Sequence, residues 1–335
     1  MTEIVTGLGM LGIDSLDEAL DSRPPQMLNV TAREFDRLSG ARASGKHHAL
    51  FGAAWNNGRA FASSVDGLRD RRPLRIEWKG SHRLPAYEQI PADLRVDYVY
   101  LVSCKYRSNI LQNPSPTNLF ERRLATRTRQ QIDWYSKTAP EEYQMLYEAC
   151  RDHLGTVDLP QSVDDLTRQN RKCLKESFSR TWPPNIAGPY RQLCTAVSEV
   201  SASHWQNALG QSQAAREEML WRLLRLQSAP YFIIGMASDQ RPVRFRVDTP
   251  WDFRQRYAFR SFEPEADASA RQPKVKWRAE VVDRRSGEPI QVRGHVEVRW
   301  SHGRFGGAPE AKVYLDTPHQ ETPGYSPLRC SADSP

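Results

Sequence analysis

Several chemical signatures are missing from this sequence of 335 residues. Its five cysteines are odd in number and never form a Cys-x-x-Cys pair, so neither a disulfide framework nor a zinc knuckle is indicated. The longest apolar runs, such as Tyr231 to Ala237, stop far short of the roughly 20 residues of a membrane-spanning helix. There is no P-loop motif and no serine nucleophile elbow. We therefore expect neither a membrane protein nor a P-loop nucleotide hydrolase nor a serine hydrolase of that type.

The amino terminus also lacks the features of a secretory signal. Acidic residues appear early, at Asp14, Asp17 and Glu18, where a signal peptide has a basic start followed by an unbroken apolar stretch. The apolar fraction of 39% is sufficient for a sizeable buried core. The sequence thus predicts a folded protein of the cytoplasm.

Positive charge is present in modest excess and is unevenly distributed. The chain has 47 Lys and Arg against 40 Asp and Glu, a formal net charge of +7. The stretch from Arg69 to Arg83, here called the basic segment, has six bases against two acids, Asp70 and Glu77. Such a segment favours a polyanionic partner, although a solvated basic face is the alternative. The nucleic-acid contacts predicted from it are Arg71, Arg72, Arg75 and Arg83.

The first third of the chain mixes helical and strand patterns. The first thirty residues predict a lead-in with at most one short helix. Helices are then predicted from Thr31, where Thr31-Ala-Arg-Glu34 has capping-box spacing, and over Lys46 to Ala62. Period-two alternation predicts a strand over Leu74–Lys79, and a high content of β-branched and aromatic residues predicts another over Val96–Lys105, with a long loop between them.

The rest of the chain divides into a helical block and a strand-rich block. We predict three domains: a core over residues 1–116, a helical block over 117–229 and a β-rich domain over 230–335. The last block predicts a mostly antiparallel sheet, and the sequence leaves open whether this sheet continues the N-terminal one. Because helices and strands are segregated along the chain, the predicted fold class is α+β.

The predicted hairpin carries the residues that suggest chemistry. Strand alternation puts Glu77 on one side of the first strand, and Asp97 and Lys105 on one side of the second. If these faces meet, two carboxylates and one lysine come together, which is sufficient for metal-assisted hydrolysis of a phosphodiester. Glu77 and Asp97 would hold Mg²⁺ or Mn²⁺, because such hard ions prefer oxygen ligands.

Ser103-Cys-Lys105 at the end of an apolar strand, with an acid on the preceding strand, resembles the PD-(D/E)xK nuclease superfamily. That family has a metal-binding acid on the second core strand and an acid-x-lysine on the third. The resemblance covers residues 31–110. It implies a restriction-endonuclease-like α-β-β core, divalent-metal-dependent cleavage of nucleic acid, and Lys105 as the catalytic lysine. It places Glu77 at the first metal-binding acid.

The sequence departs from this family pattern at Ser103, which stands where the family has an acid. The missing ligand is then supplied by Asp97, Asp93 or Glu88. Glu77-Trp-Lys79 is itself an acid-x-lysine, so Lys79 is an alternative catalytic lysine, with Asp66 or Asp70 as the earlier acid. An ordinary ion pair between Glu77 and Lys79 is an equally open interpretation.

A second candidate site lies near the carboxyl end. Glu297 is followed by Glu310-Ala-Lys312, which has the family spacing more literally. The apolar residues come after this acid-x-lysine instead of before it, so the set of Glu297, Glu310 and Lys312 ranks second.

These observations predict a metal-dependent endonuclease that acts on DNA or RNA, and analogy with the superfamily suggests a role in bacterial antiviral defence. The alternative is a non-catalytic nucleic-acid-binding or complex-forming subunit, in which the hairpin is structural. Nucleic acid is the predicted partner, and a protein partner or self-association is compatible with either hypothesis.

Overall fold

The structure is a computed structural model that describes residues 1–80, 92–107, 110–121, 132–155, 158–269 and 271–329. These ranges contain eleven α-helices: α1 (Thr2–Gly9), α2 (Leu16–Ser22), α3 (Ala32–Ala43), α4 (His48–Ser63), α5 (Pro116–Phe120), α6 (Trp134–Thr138), α7 (Pro140–Leu154), α8 (Arg168–Ser177), α9 (Pro184–Leu209), α10 (Gln213–Leu223) and α11 (Pro250–Arg256). None of the helices in these ranges has the length and apolar content to span a bilayer.

Twelve strands in the described ranges form two sheets, and both sheets are largely antiparallel. The strands are β1 (Met27–Leu28), β2 (Ile76–Trp78), β3 (Leu94–Val96), β4 (Tyr100–Tyr106), β5 (Ile110–Gln112), β6 (Tyr231–Met236), β7 (Pro242–Val247), β8 (Tyr257–Ala266), β9 (Lys274–Asp283), β10 (Pro289–Arg299), β11 (Glu310–Leu315) and β12 (Tyr325–Pro327). The predicted α+β class is confirmed.

The chain divides into two compact units that do not follow the sequence blocks. The first unit takes the described residues of 1–109, 225–256 and 318–335, and the second takes those of 110–224 and 257–317. The boundaries predicted at residues 116 and 229 therefore differ from the units that the structure forms. The physical reason is that β6 pairs with β4, and β7 and β12 extend the same sheet, a long-range arrangement that local sequence patterns do not encode.

The first unit is built on a seven-stranded sheet of order β1-β2-β3-β4-β6-β7-β12. β2, β3 and β4 form an antiparallel meander, whereas β6 pairs with β4 in parallel. β7 is antiparallel to β6. Parallel pairing requires a long crossover, which the residues between β4 and β6 supply.

Two helices of the first unit cross at glycines. A Cβ at Gly58 on α4 would overlap the backbone of Thr6 and Gly9 on α1, so glycine is needed for this close approach. The crossing buries Val5 and Leu8 completely beside the sheet residues of the same core. The prediction of a lead-in with at most one short helix is therefore wrong, because α1 is a central core helix.

The second unit contains an antiparallel sheet of order β5-β11-β10-β9-β8. Buried and accessible residues alternate along β9 and β10, as expected for a sheet with one covered face. The long helix α9 packs on β8 and β9, and Trp205 of α9 lies edge-on to Phe262 with ring centroids 5.5 Å apart. The mostly antiparallel sheet predicted for the last block of the chain is confirmed for β8 to β11.

Candidate active site

The turn between β3 and β4 determines where the acids of the predicted hairpin lie. Asp97 and Tyr98 have positive φ angles of 49° and 61°, so the chain reverses in a tight hairpin turn. Asp97 accepts hydrogen bonds on Oδ1 from the backbone N–H groups of Leu74 (2.8 Å) and Arg75 (3.0 Å). The strand predicted over 96–105 is thus interrupted at its start. Asp97 lies in the turn, and its carboxylate holds Leu74 and Arg75, the two residues before β2, by hydrogen bonds.

Asp93 lies immediately before β3 and is joined to β4. Its backbone N–H donates to the carbonyl of Val102 at 2.8 Å, and the register of the two strands puts Asp93 opposite Ser103. The carboxylate oxygen Oδ2 accepts from the backbone N–H of Cys104 at 2.6 Å and lies 3.4 Å from Ser103 Oγ. These bonds fix one oxygen of the carboxylate at the end of β4.

Lys105 follows Ser103 by two residues on β4, so both side chains leave the same face of the sheet. Asp93 and Lys105 are diagonal neighbours across the strand pair, a relation that spans roughly 7–8 Å between backbones and lies within reach of a long side chain. Burial lowers the pKa of Lys105, and the positive charge of Arg225 lowers it further, while Asp93 partly opposes both effects. No hydrogen bond or ion pair to Lys105 Nζ occurs within the residues that the structure describes.

Glu3 adds a second carboxylate that the sequence analysis missed. It lies in the first turn of α1, and its Oε2 accepts a hydrogen bond from the indole Nε1 of Trp78 at 2.6 Å. Its charge acts on both Asp93 and Lys105, which places it in the same electrostatic neighbourhood. We refer to Glu3, Asp93 and Lys105 as the carboxylate–lysine cluster. No local pattern marks Glu3, because its role depends on where α1 packs.

The carboxylate of Asp93 is held in an unfavourable environment for a negative charge. Burial raises its pKa, the hydrogen bond from Cys104 opposes this in part, and the charge of Glu3 raises it again. Buried carboxylates with shifted pKa values are a frequent property of functional sites. Asp66 is the opposite case. Hydrogen bonds from Arg329 lower its pKa and outweigh burial, which raises it.

This contrast gives a prediction for stability. Because the folded-state pKa of Asp93 lies above its ordinary value of 3.8, ionisation of Asp93 destabilises the fold as pH rises through that interval, and the full penalty is present at neutral pH. Asn is the closest neutral isostere. We expect Asp93→Asn to raise the free energy of unfolding at pH 7 by about 1 kcal/mol, the usual scale for one buried polar group. The gain should shrink as pH is lowered toward 4.

The matched control is Asp66→Asn, which should have the opposite sign. The stability from Asp66 is present above its ordinary pKa of 3.8 and is lost only as pH falls through the lower folded-state value. The variant should therefore be less stable than the parent at pH 7. It should remain less stable than the parent at pH 4, by a smaller difference. Thermal unfolding of both variants between pH 4 and 8 measures this, and a loss of stability for Asp93→Asn at pH 7 would contradict the interpretation of Asp93.

The other residues predicted for the first site have different partners. Glu77 on β2 forms a two-pronged ion pair with Arg95 on β3, through Nε and through Nη2 at 2.7 Å. The backbone N–H of Lys79 donates to the carbonyl of Asp93 at 2.9 Å. The structure thus places Asp93 and Lys105 as diagonal neighbours across the β3–β4 pair and pairs Glu77 with Arg95, while Glu88 lies outside the described residues.

The predicted nucleic-acid contacts lie at the start of the basic segment. Arg71 and Arg72 line, together with Arg59, a cavity of about 490 Å³ in the first unit. The guanidinium of Arg75 stacks on the ring of Tyr98 with 4.4 Å from Cζ to the ring centroid. Arg83 lies outside the described residues. We refer to Arg71, Arg72 and Arg75 as the basic surface; Asp14 and Asp70 line the same cavity as Arg71 and Arg72.

The second candidate set lies on paired strands of the second unit. Glu297 on β10 is directly opposite Lys312 on β11, and Lys312 Nζ donates to Glu310 Oε2 at 2.6 Å. Glu297 also lies 3.4 Å from a guanidinium nitrogen of Arg299. Burial raises the pKa of Glu310, but the bonds from Lys312 and Ser301 outweigh it and the net shift is downward. Each acid here is matched by a neighbouring cation.

Within the described ranges, no group of three or more His, Cys, Asp or Glu side chains converges as a metal site. Two carboxylates fall below that number and are still a usual ligand set for Mg²⁺, which retains several waters. In the carboxylate–lysine cluster, the charge of Glu3 raises the pKa of Asp93, while each carboxylate has its own hydrogen-bond donor, Trp78 for Glu3 and Cys104 for Asp93.

The chain was also compared with known proteins. No family model, curated protein or solved structure matches it. The chemistry of the cluster therefore has to be argued from its own residues.

Proposed function

We propose that this protein is a divalent-metal-dependent nuclease whose active site is the carboxylate–lysine cluster of Glu3, Asp93 and Lys105. The observation that carries the proposal is the diagonal placement of Asp93, just before β3, and Lys105, near the end of β4. This is a revised version of the site expected from the sequence, in which Asp93 takes the place given to Glu77 and Asp97.

The strand arrangement of the first unit supports this proposal. The family resemblance requires an acid on the second strand and an acid-x-lysine on the third strand of the core. In the first unit, β2, β3 and β4 form the antiparallel meander, so β3 is the second strand and β4 the third. On this numbering, Asp93 would stand at the second-strand position and Lys105 at the third-strand position that the resemblance implies.

Ser103 is the departure from the family pattern, and Glu3 offers a way to compensate for it. Asp93 and Glu3 would hold the cation, Mg²⁺ or Mn²⁺, with waters and phosphate oxygens filling its other positions. When bound, the cation supplies charge neutralisation at the scissile phosphate and acidifies a water molecule. Ser103 remains a hydrogen-bond partner of the Asp93 carboxylate.

The protein groups have separate roles in this proposal. Lys105 donates hydrogen bonds from its ammonium group to a phosphate oxygen and to the attacking water. These bonds orient both groups and stabilise the developing negative charge on the phosphate. Its half-buried position strengthens these interactions, because charges interact more strongly away from bulk water. The backbone N–H of Cys104 and the indole of Trp78 hold the two carboxylates in fixed positions.

The basic surface at Arg71, Arg72 and Arg75 supports a nucleic-acid substrate, since arginines are well suited to phosphate. We expect Arg72→Ala to weaken binding of duplex DNA by a catalytically inactive variant and to lower the slope of log affinity against log salt by about 1. Fluorescence anisotropy at several salt concentrations measures both quantities. Arg37→Ala is the matched control, an exposed arginine on α3 that should leave the slope unchanged. An equal effect of both variants would mean that Arg72 acts only through net charge.

One observation favours a second candidate function. Ser103 in place of an acid leaves the third-strand motif without its own metal ligand, as expected for a nuclease core that binds nucleic acid without cleaving it. In that case the basic surface would still bind nucleic acid, and the carboxylate–lysine cluster would not be needed for this binding.

The test of the proposed function is a cleavage assay with the full chain. Single- and double-stranded DNA and RNA are incubated with Mg²⁺ or Mn²⁺ and, in parallel, with a chelator. We expect cleavage of at least one substrate class that depends on the added cation. Binding without any cation-dependent cleavage would favour the non-catalytic candidate.

A further inference from the structure

The second unit contains a cavity of about 640 Å³ that the proposed function does not use. It is lined by residues of α8 and by the ends of β10 and β11, and this volume is in the range of sites for small-molecule ligands. The lining residues that matter here are Lys175, Gln272, Arg299, Trp300, Arg304 and Lys312.

The basic side chains that line the cavity outnumber the acidic ones. Arg299 and Lys312 are matched by Glu297 and Glu310, as described above. Lys175 and Arg304 have no carboxylate partner within the described ranges, and the one acid that lines the cavity is Glu176 on α8. Two cations without counter-ions favour an anionic ligand.

Arg304 is fixed in place although it has no carboxylate partner. Its guanidinium donates to the backbone carbonyls of Phe178, at 2.8 Å, and Arg180, and it stacks on the ring of Trp182 at 3.8 Å. Burial lowers its pKa, so the site holds a positive charge in a partly desolvated position. A guanidinium held in this way is preorganised for a phosphate, because its planar donors need no further ordering.

The cavity also has neutral polar groups that lack partners. Gln272 Oε1, an acceptor, and Trp300 Nε1, a donor, are both buried with no hydrogen-bond partner within the described chain. Buried polar atoms are normally satisfied, so such atoms beside a cavity indicate a ligand with complementary groups. Lys175 is held near them, because its stem packs over Gly303, where a Cβ would come within 2.8 Å of Lys175 Cγ.

We propose that this cavity binds a nucleoside phosphate, with the phosphate on Lys175 and Arg304 and the base or ribose hydrogen-bonded to Gln272 and Trp300. The anion alone would leave the neutral groups unsatisfied, and a neutral nucleoside would leave the two cations unpaired. The proposal is independent of phosphodiester cleavage by the first unit, since all of these residues belong to the second unit.

Isothermal titration calorimetry of the full chain tests this proposal, with AMP and UMP as probes and with adenosine and inorganic phosphate as fragments. We expect saturable binding of at least one nucleotide with one site per chain, and weaker binding of both fragments. A 5′-phosphorylated oligonucleotide, titrated without divalent cation, distinguishes a free nucleotide from the end of a nucleic acid as the source of the same chemistry.

Lys175→Ala should weaken nucleotide binding by about tenfold or more, the scale for loss of one charge-assisted hydrogen bond. The matched control is Lys172→Ala, an exposed lysine one turn earlier on α8 that does not line the cavity. It should change the affinity by less than about twofold on the same scale. Absence of saturable binding for both nucleotides, or an equal effect of the two variants, would overturn the proposal. Both lysines are exposed, so neither substitution should unfold the chain.

Discussion

We expect Asp93→Asn to lower the rate of the proposed cation-dependent phosphodiester cleavage by about 10²–10³-fold, the size expected when a group that stabilises transition-state charge is removed. The amide keeps the shape of the carboxylate and can still accept the hydrogen bond from Cys104 N–H, so the β3–β4 connection is preserved. What is lost is the negative charge that would hold a divalent cation. Because the same substitution is expected to stabilise the fold at pH 7, a loss of cleavage cannot be attributed to unfolding.

Asp97→Asn is the matched control for this substitution. It makes the same chemical change four residues along the chain, in the turn between β3 and β4, and the amide oxygen can still accept from Leu74 and Arg75. Cleavage should remain within about threefold of the parent, as for a surface substitution of small effect. If Asp97→Asn abolishes cleavage and Asp93→Asn does not, the site expected from the sequence is correct and the revised one is not.

A second pair of variants tests the lysine in the same assay. Lys105→Ala should also reduce the cleavage rate by about 10²–10³-fold, because Lys105 is the positive charge near the end of β4 beside Asp93. Lys79→Ala should reduce it far less, since the link of Lys79 to Asp93 runs through the backbone, which alanine retains. Measured single-turnover rates separate this loss from weaker substrate binding. Equal losses for both lysines would leave the catalytic one unassigned and count against the proposed site.

Local sequence patterns predicted the individual elements of the fold well. The capping box from Thr31 to Glu34 does begin α3, and the alternating residues from Leu74 to Lys79 contain β2. These signals are local: a cap spans four residues, and alternation follows from one covered sheet face. The partners of the strands were not predictable, because β6 joins β4 only after the helical block has intervened.

The candidate site was only partly predictable, and its errors have physical causes. Val96 to Lys105 is rich in β-branched and aromatic residues, so it was interpreted as one strand, although Asp97 and Tyr98 adopt left-handed backbone conformations that split it. This turn removes Asp97 from the strand that carries Lys105, and Asp93 is instead the acid hydrogen-bonded to β4. Aspartate tolerates a left-handed backbone conformation, so the aspartate at position 97 was the sequence signal for a turn there.

Glu3 shows the limit of sequence interpretation most clearly. Its partner Trp78 is 75 residues away, and the contact exists only because α1 crosses α4 at glycines. A glutamate in the first turn of a helix is ordinary in itself, since it also suits the helix dipole. Only the tertiary structure brings it near Asp93 and Lys105.

Gly235→Ala is expected to destabilise the first unit by about 3 kcal/mol or more, because the clash it introduces involves backbone. Gly235 lies in β6 opposite Lys105 in the parallel pair, and a Cβ there would overlap the carbonyl group of Lys105. A flexible side chain could move away, but this carbonyl belongs to a central strand of the sheet. The carbonyl of Gly235 also accepts a buried hydrogen bond from Asn57 Nδ2 at 2.7 Å, which any displacement of β6 would strain.

Gly40→Ala is the control that makes this result interpretable. Gly40 lies inside α3, is exposed, and has no atom within 4 Å of the position of an added Cβ. Alanine favours the helix there, so this variant should be stabilised by about 0.5–1 kcal/mol. Chemical denaturation followed by circular dichroism measures both variants. Because the end of β4 carries Lys105, Gly235→Ala should also lose cleavage at temperatures where it remains folded. Normal stability together with normal cleavage would mean that β4 and β6 do not pair as described, and the position of Lys105 would then have to be reassigned.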